Sequence, residues 1–268
     1  YEYGKGVAPD EKEAFKWYAK AAEQGNADSQ AQLGYFYEKG KGVTKNDGKA
    51  FEWYSKAAQK GDSYSQAKLG YFYREGMGVE KSHAKAFEWF HKAAEQGNAH
   101  AELHLGYLYG EGLGVEKSDV KAVEWYLKSA QQGDATAQFN LGQHYQYGRG
   151  VILNEHEAFK WYTQSADQGN ADAQSKVGYF YEMGKGTPKN ISEAVKWYKL
   201  AAEQGNSYAQ YNLGVCYYFG KGVERNDVKA IELCTKAAEQ GVADAQYNLG
   251  VSYRDGMGLL KDEKKGVE

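Results

Sequence analysis

The chain has 268 residues, with 33 Lys and Arg against 36 Asp and Glu, long enough to bury a sizeable core in one large domain or two ordinary ones. No basic excess offsets a phosphate backbone, so nucleic acid is set aside as a partner, and with no run of eighteen apolar residues membrane insertion is not expected. Two cysteines, Cys216 and Cys234, are too few for a disulfide framework, and the opening YEYGKG lacks the basic-then-apolar pattern of a signal peptide.

The composition of 33 Gly, 24 Tyr and 6 Trp beside only 2 Pro directs attention to repeats. Gly34, Gly70, Gly106, Gly142, Gly178, Gly214 and Gly250 are spaced by 36 residues, and the series beginning Trp17 and Gly25 keep the same clock. A fixed period of this size predicts a solenoid of helical units. In chain order, residues 1–25 form the back part of a unit, six full units run over 26–61, 62–97, 98–133, 134–169, 170–205 and 206–241, and 242–268 form the front part of another. The whole is read as a single repeat array.

Each full unit predicts two helices. Asn26, Asp62, Asn98, Asp134, Asn170 and Asn206 are N-caps of the first, each worth about 1 kcal/mol, whereas Val242 has no side chain able to accept a capping N–H bond. The first helix runs from about Ala27 to Lys39, with Ser29, Leu33 and Tyr37 on the core stripe. Gly34 sits in its middle, where glycine costs about 1 kcal/mol relative to alanine; this predicts close approach by a Trp or Tyr of a neighbouring helix. The segment EKGKGV at Glu38–Val43 follows. Its lysine-flanked glycines suggest a phosphate loop, but the counterparts REGMGV, GEGLGV, QYGRGV, EMGKGT, YFGKGV and RDGMGL keep the glycines and lose the charge. The glycines are therefore expected to end the helix with φ > 0, while Val43 returns the loop to the core.

A second cap recurs at Asp10, Asn46, Ser82, Ser118, Asn154, Asn190, Asn226 and Asp262. The second helix runs from about Asp47 to Lys60, with Ala50, Tyr54 and Ala57 facing inward. Glu52 and Lys56, Glu88 and Lys92, Glu124 and Lys128, and Glu232 and Lys236 stand in the favourable i,i+4 order on a solvated face. In the last unit Gly266 replaces the second-helix alanine, which argues against a final second helix.

Little of this chemistry suggests catalysis. Of six histidines, only His100 and His104 have ligand-like spacing; HAELH lacks the HExxH order, so a varied surface is the better reading and no metal or other cofactor is expected. Cys216 and Cys234 fall one on each helix of a unit, where either a disulfide or two small core residues fits.

The pattern A-x-x-x-L-G-x-x-Y-x-x-G-x-G-V followed by K-A-x-x-W-Y-x-K-A-A-E-Q-G resembles the Sel-one-like repeat (SLR) family of the tetratricopeptide-like class, and the resemblance covers essentially the whole chain. Departures are Leu233 and Cys234 in place of Trp-Tyr and Gln143 in place of Tyr. The resemblance implies an all-α, right-handed superhelix of antiparallel helix pairs acting as a non-enzymatic scaffold or adaptor for a protein or peptide. Bacterial signalling, envelope or host-interaction roles follow by family, and periplasm, cell surface or secretion come ahead of the cytoplasm. The alternative is a small-molecule or glycan-binding protein, or a β-lactamase-like hydrolase similar to cysteine-rich relatives. Those relatives staple hairpins with cysteines, and here the same regions read KAAEQGNADSQ, without one.

In such solenoids the first helices line the concave surface. On the wheel, the face opposite the core stripe carries Asp28, Ala31, Tyr35, Glu38 and Lys39 and their equivalents. The candidate partner-binding residues are Tyr35, Tyr71, Arg74 and Tyr107 in the first units, then Phe139 and Tyr147, then Tyr208, Tyr211, Tyr218, Phe219 and Tyr247. Tyr supplies large contact area at small entropic cost. The repeat-wide Tyr35, Tyr71, Tyr107 and Tyr179 are read first as packing residues. Replacing Tyr211 and Tyr218 by Ala is expected to weaken capture with melting nearly unchanged. End-to-end association through the partial terminal units is a further expectation.

Overall fold

The computed structural model describes residues 8–255. Among them are fourteen α-helices and no strand. The chain divides into two compact units, Tyr1–Asp134 and Ala135–Glu268. The first holds α1 (Glu11–Glu23), α2 (Ala27–Lys39), α3 (Asp47–Gln59), α4 (Ser63–Glu75), α5 (His83–Ala94), α6 (Ala99–Glu111) and α7 (Asp119–Gln131). The second holds α8 (Ala135–Tyr147), α9 (Glu155–Asp167), α10 (Ala171–Met183), α11 (Ile191–Glu203), α12 (Ser207–Phe219), α13 (Asp227–Glu239) and α14 (Ala243–Asp255). Within each unit consecutive helices pack, giving stacked hairpins of the solenoid type. The expected cap at Asp262 and the substitution at Gly266 lie outside the described residues.

The caps act where the sequence places them. Asn26 Oδ1 accepts the Ser29 N–H at 2.8 Å, and Asn46 Oδ1 accepts the Lys49 N–H at 2.9 Å. At the far end of α2, Gly40 takes φ 71°, and the Lys41 N–H reaches back to the Phe36 carbonyl at 3.0 Å. The second glycine of EKGKGV has a different reason. A Cβ on Gly42 would lie 2.3 Å from the Glu11 carbonyl oxygen, so this residue lets the loop seat on the first turn of α1.

The core is built from rings placed against the mid-helix glycines. A Cβ on Gly34 would lie 2.6 Å from the Tyr54 ring, and Phe90, Tyr126, Tyr162 and Tyr198 fill the same slot opposite Gly70, Gly106, Gly142 and Gly178. The partner is thus the residue after the tryptophan, never the tryptophan itself. Ala50, Tyr54 and Ala57 are fully buried, as expected. The first helix is buried more broadly than its wheel suggests, because α2 packs on both α1 and α3. Phe36 and Leu33 form the core, whereas Tyr37 is half-buried. Ala31 and Glu38, assigned above to the open face, are buried.

The i,i+4 ion pairs form selectively. Glu232 and Lys236 meet at 2.7 Å. Lys56, Lys92 and Lys128 instead stand over Trp53, Trp89 and Trp125 at 3.9, 4.4 and 3.8 Å from the ring centroids. An indole three residues back offers the ammonium a face that holds it, and where Leu233 replaces that indole the lysine turns to the carboxylate.

A buried amide ladder explains the glutamine of A-E-Q-G. Gln66 donates Nε2–H to the Ala58 carbonyl at 3.2 Å and accepts from Gln96 Nε2 at 2.7 Å, linking the preceding second helix to the hairpin's own end. Gln174 repeats both bonds with Ala166 and Gln204, and Gln210 with Ala202 and Gln240. Glu102 occupies the same position and accepts from Gln132 at 2.7 Å, but an ionised carboxylate has no proton to donate. Burial pushes its carboxyl above the ordinary value, outweighing the opposing Gln132 bond and Lys128 charge. Glu102→Gln is therefore expected to stabilise unit 1 by about 1 kcal/mol at pH 7. Because the folded pKa is raised, the penalty carried by Glu102 is full above it and absent below the unfolded value of 4.5. Urea unfolding at pH 7 and pH 4 should show the advantage of Glu102→Gln shrinking as pH falls; a pH-independent advantage, or none at pH 7, contradicts this account.

Candidate interaction face

The candidate face positions lie on the first helices, and their residues change along the array. In unit 1, α4 and α6 bound a cavity of about 230 Å³ lined by Tyr64, Lys68, Tyr71, His100 and His104. Arg74 organises its edge. Its guanidinium lies 5.0 Å from the Tyr71 ring centroid and 6.0 Å from that of Tyr107, donates to His104 Nδ1 at 2.9 Å, and pairs with Glu75 at 2.6 Å. His104 is held neutral: burial, with the Arg74 charge next, lowers its pKa to about 3. Its Nδ1 therefore accepts a proton donor, while His100 is exposed with Asp134 4.0 Å away. Among the described residues no group of three His, Cys, Asp or Glu side chains could hold a metal.

Tyr107 is exposed, while Tyr35 and Tyr71 are half-buried and pack against the core beneath them. Tyr35 also carries Lys41 at 5.1 Å above its ring. Glu38 lies under this face. Tyr54 Oη donates to it at 2.7 Å, and Lys68 and Lys39 approach at 2.9 and 3.0 Å. Burial pushes its carboxyl up, but these hydrogen bonds together bring its pKa below the ordinary value.

Unit 2 carries a larger groove, of about 540 Å³, along α8, α10 and α12. It brings together Phe139, Tyr147 and Tyr208 with Tyr179. Tyr147 and Tyr208 are 51% and 67% exposed, whereas Phe139 is half-buried with its ring 5.6 Å from Tyr162. Gln143, Gln146, Asn212, Lys176 and Asp172 supply its polar lining. These were not singled out from the sequence; the signal was their variation at face positions, which Gln143 already showed.

The other candidates lie apart from this groove. Tyr211 packs beside the cluster of Ala237, Ala238, Val242 and Ala245, and its Oη accepts from Asn248 Nδ2 at 3.2 Å. Tyr218 is half-buried, edge-on to Phe219 at 4.8 Å with Arg225 5.7 Å away. Replacing either removes packing, so the expectation of nearly unchanged melting does not suit these two. Phe219 and Tyr247 are exposed, at 62% and 73%. The cysteines are free thiols, Cys216 buried and Cys234 partly so.

Comparison with protein families matches the Sel1 repeat to residues 1–26, 27–62, 63–98, 99–134, 135–170, 171–206, 207–242 and 243–268. The chain belongs to the Sel1 repeat family. The family's unit boundaries fall one residue after those read from the sequence, and its repeats account for the hairpins and their glycine slots. Among solved structures, the chain is similar to c5321, a protective antigen of uropathogenic Escherichia coli strains displaying an SLR fold, with 37% identity and a TM-score of 0.83. That match covers 99% of this chain but 64% of the antigen, so the chain spans somewhat less than two thirds of that relative. A Sel1 repeat protein from Oxalobacter formigenes is 36% identical with a TM-score of 0.76, covering 85% of this chain and 91% of that one. No curated protein matches the chain in sequence. No described helix is long and apolar enough to cross a membrane.

Proposed function

We propose that this Sel1 repeat chain is a non-enzymatic interaction scaffold that captures a protein segment along its first-helix face, chiefly in the unit 2 groove. The observation that carries this reading is the convergence of Phe139, Tyr147, Tyr179 and Tyr208 on one open groove, with amides between the rings. Exposed rings anchor a partner, and amides can accept and donate to the backbone of an extended peptide. The protective-antigen description of the E. coli relative is compatible with a bacterial envelope or host-facing role for this chain, which we include in the proposal.

Selection of binders from a displayed library of extended peptides, followed by titration, tests this. Tyr147→Ala combined with Tyr208→Ala is expected to weaken selected peptides by at least tenfold, because each exposed ring contributes on the order of 1–2 kcal/mol. Both side chains are exposed, so the melting temperature should hold. Equal binding by the double variant, or failure to select any peptide, overturns the proposal.

A further inference from the structure

One ring slot among the described residues of unit 2 is empty. Within each unit, a ring on a second helix meets the residue eighteen positions later on the next first helix. Tyr18 meets Phe36 at 5.5 Å between centroids, Tyr54 meets Phe72 at 5.7 Å, and Tyr162 meets Phe180 at 5.4 Å. Phe90 and Leu108, and Tyr198 and Cys216, share a core cluster and keep one ring in the pair. At the last such junction the pair is Cys234 and Ser252, and both rings are gone.

The helices do not close over the loss. Between α12, α13 and α14 a cavity of about 140 Å³ remains, lined by Gly214, Ala230, Cys234, Val251 and Ser252, with Tyr218 and exposed Phe219 at its edge. Two polar side chains on the wall, Ser252 and Asn248, are engaged: Ser252 Oγ donates to the Asn248 carbonyl at 2.9 Å, and Asn248 Nδ2 donates to Tyr211 Oη. A cavity of about 150 Å³ walled by aliphatic and aromatic carbon stays dry and accepts benzene. The equivalent space elsewhere in this chain is occupied by a phenyl or phenol ring lying against the same glycine.

We propose that the cavity at Cys234 and Ser252 is a binding site for one apolar six-membered aromatic ring, which takes the place of the missing side chains. This site is separate from the unit 2 groove, and its success or failure leaves the scaffold reading untouched. The ring can come from a free aromatic molecule or from a phenylalanine side chain, since the slot recognises only the ring. Burial pushes the Cys234 thiol up, so the wall it presents is neutral.

Titration of the full 268-residue chain with toluene, and separately with a blocked Gly-Phe-Gly peptide, followed by amide chemical shifts, tests the site. Saturable shifts confined to α12, α13 and α14 are expected. Binding of toluene alone assigns the site to small molecules, and binding of both assigns it to side-chain capture as well. Cys234→Phe, which restores the ring that Phe90 supplies in its own repeat, should weaken toluene at least tenfold and raise the melting temperature. Ser252→Phe refills the slot from the opposite helix and serves where Cys234→Phe does not fold. Cys234→Ala should retain binding. No saturable shift with either probe, or unchanged affinity in the refilled variants, overturns the proposal.

Discussion

Gly106→Ala is expected to destabilise unit 1 by about 2 kcal/mol, while Gly110→Ala, one turn later in the same helix, is expected to stabilise it by about 0.5–1 kcal/mol. Intrinsic propensity favours alanine at both positions by about 1 kcal/mol. What differs is the space. A Cβ on Gly106 would lie 2.6 Å from two atoms of the Tyr126 ring, and Tyr126 is only 5% exposed. It has no free volume to enter, so α6 and α7 must separate, and overpacking of this kind costs about 1–3 kcal/mol or more. At Gly110 the new methyl would meet Ala122 Cβ at 3.7 Å, an ordinary contact. Urea unfolding followed by circular dichroism on the two variants checks the sign directly. If both move the midpoint the same way, the glycine series is not explained by ring packing.

The same contrast shows what the sequence carries and what it leaves to the fold. Caps and glycines act on their own backbone, so Asn26, Asn46 and Gly40 could be placed by position alone, and the helix ends they predict agree to within a residue. Gly34 was also legible, because seven repetitions of an unfavourable residue demand a tertiary reason. The identity of its partner was less so. Trp53 and Tyr54 are adjacent, and only the packing of α3 against α2 shows which one turns inward. Glu38 was misplaced for a similar reason: a single-helix wheel counts one buried stripe, whereas a helix within a stack is covered from more than one side. Gly42 shows the limit again, since its need for close approach comes from α1, about thirty residues earlier in the sequence. The unit 2 groove gathers residues from three successive first helices. Phe139, Tyr147 and Tyr208 could each be read as surface aromatics, but their meeting is a property of the stacking.

The second large effect is expected at Glu38. Glu38→Ala should cost unit 1 about 3 kcal/mol, and Glu38→Gln about 1 kcal/mol. The alanine variant removes the carboxylate that accepts from the Tyr54 hydroxyl, on a side chain with no solvent exposure, and leaves a void beside it. Glutamine keeps an acceptor for that hydroxyl, as Gln146 does for Tyr162 at 2.6 Å. It gives up the charge that faces Lys68 and Lys39; because Lys39 is half-exposed, that loss is modest. The pH dependence separates the two contributions. Burial raises the Glu38 pKa, but the Lys68, Tyr54 and Lys39 hydrogen bonds prevail and leave it below the unfolded value of 4.5. A depressed folded pKa means that the charge-linked stability is fully present above pH 4.5 and is lost as pH falls through the folded value. The gap between wild type and Glu38→Gln should therefore be widest near neutral pH and close in acid, whereas much of the deficit of Glu38→Ala should persist at every pH. Parallel urea titrations at pH 7, 5 and 3 measure both; a Glu38→Gln gap that grows in acid would show that the lysines do not hold the carboxylate ionised.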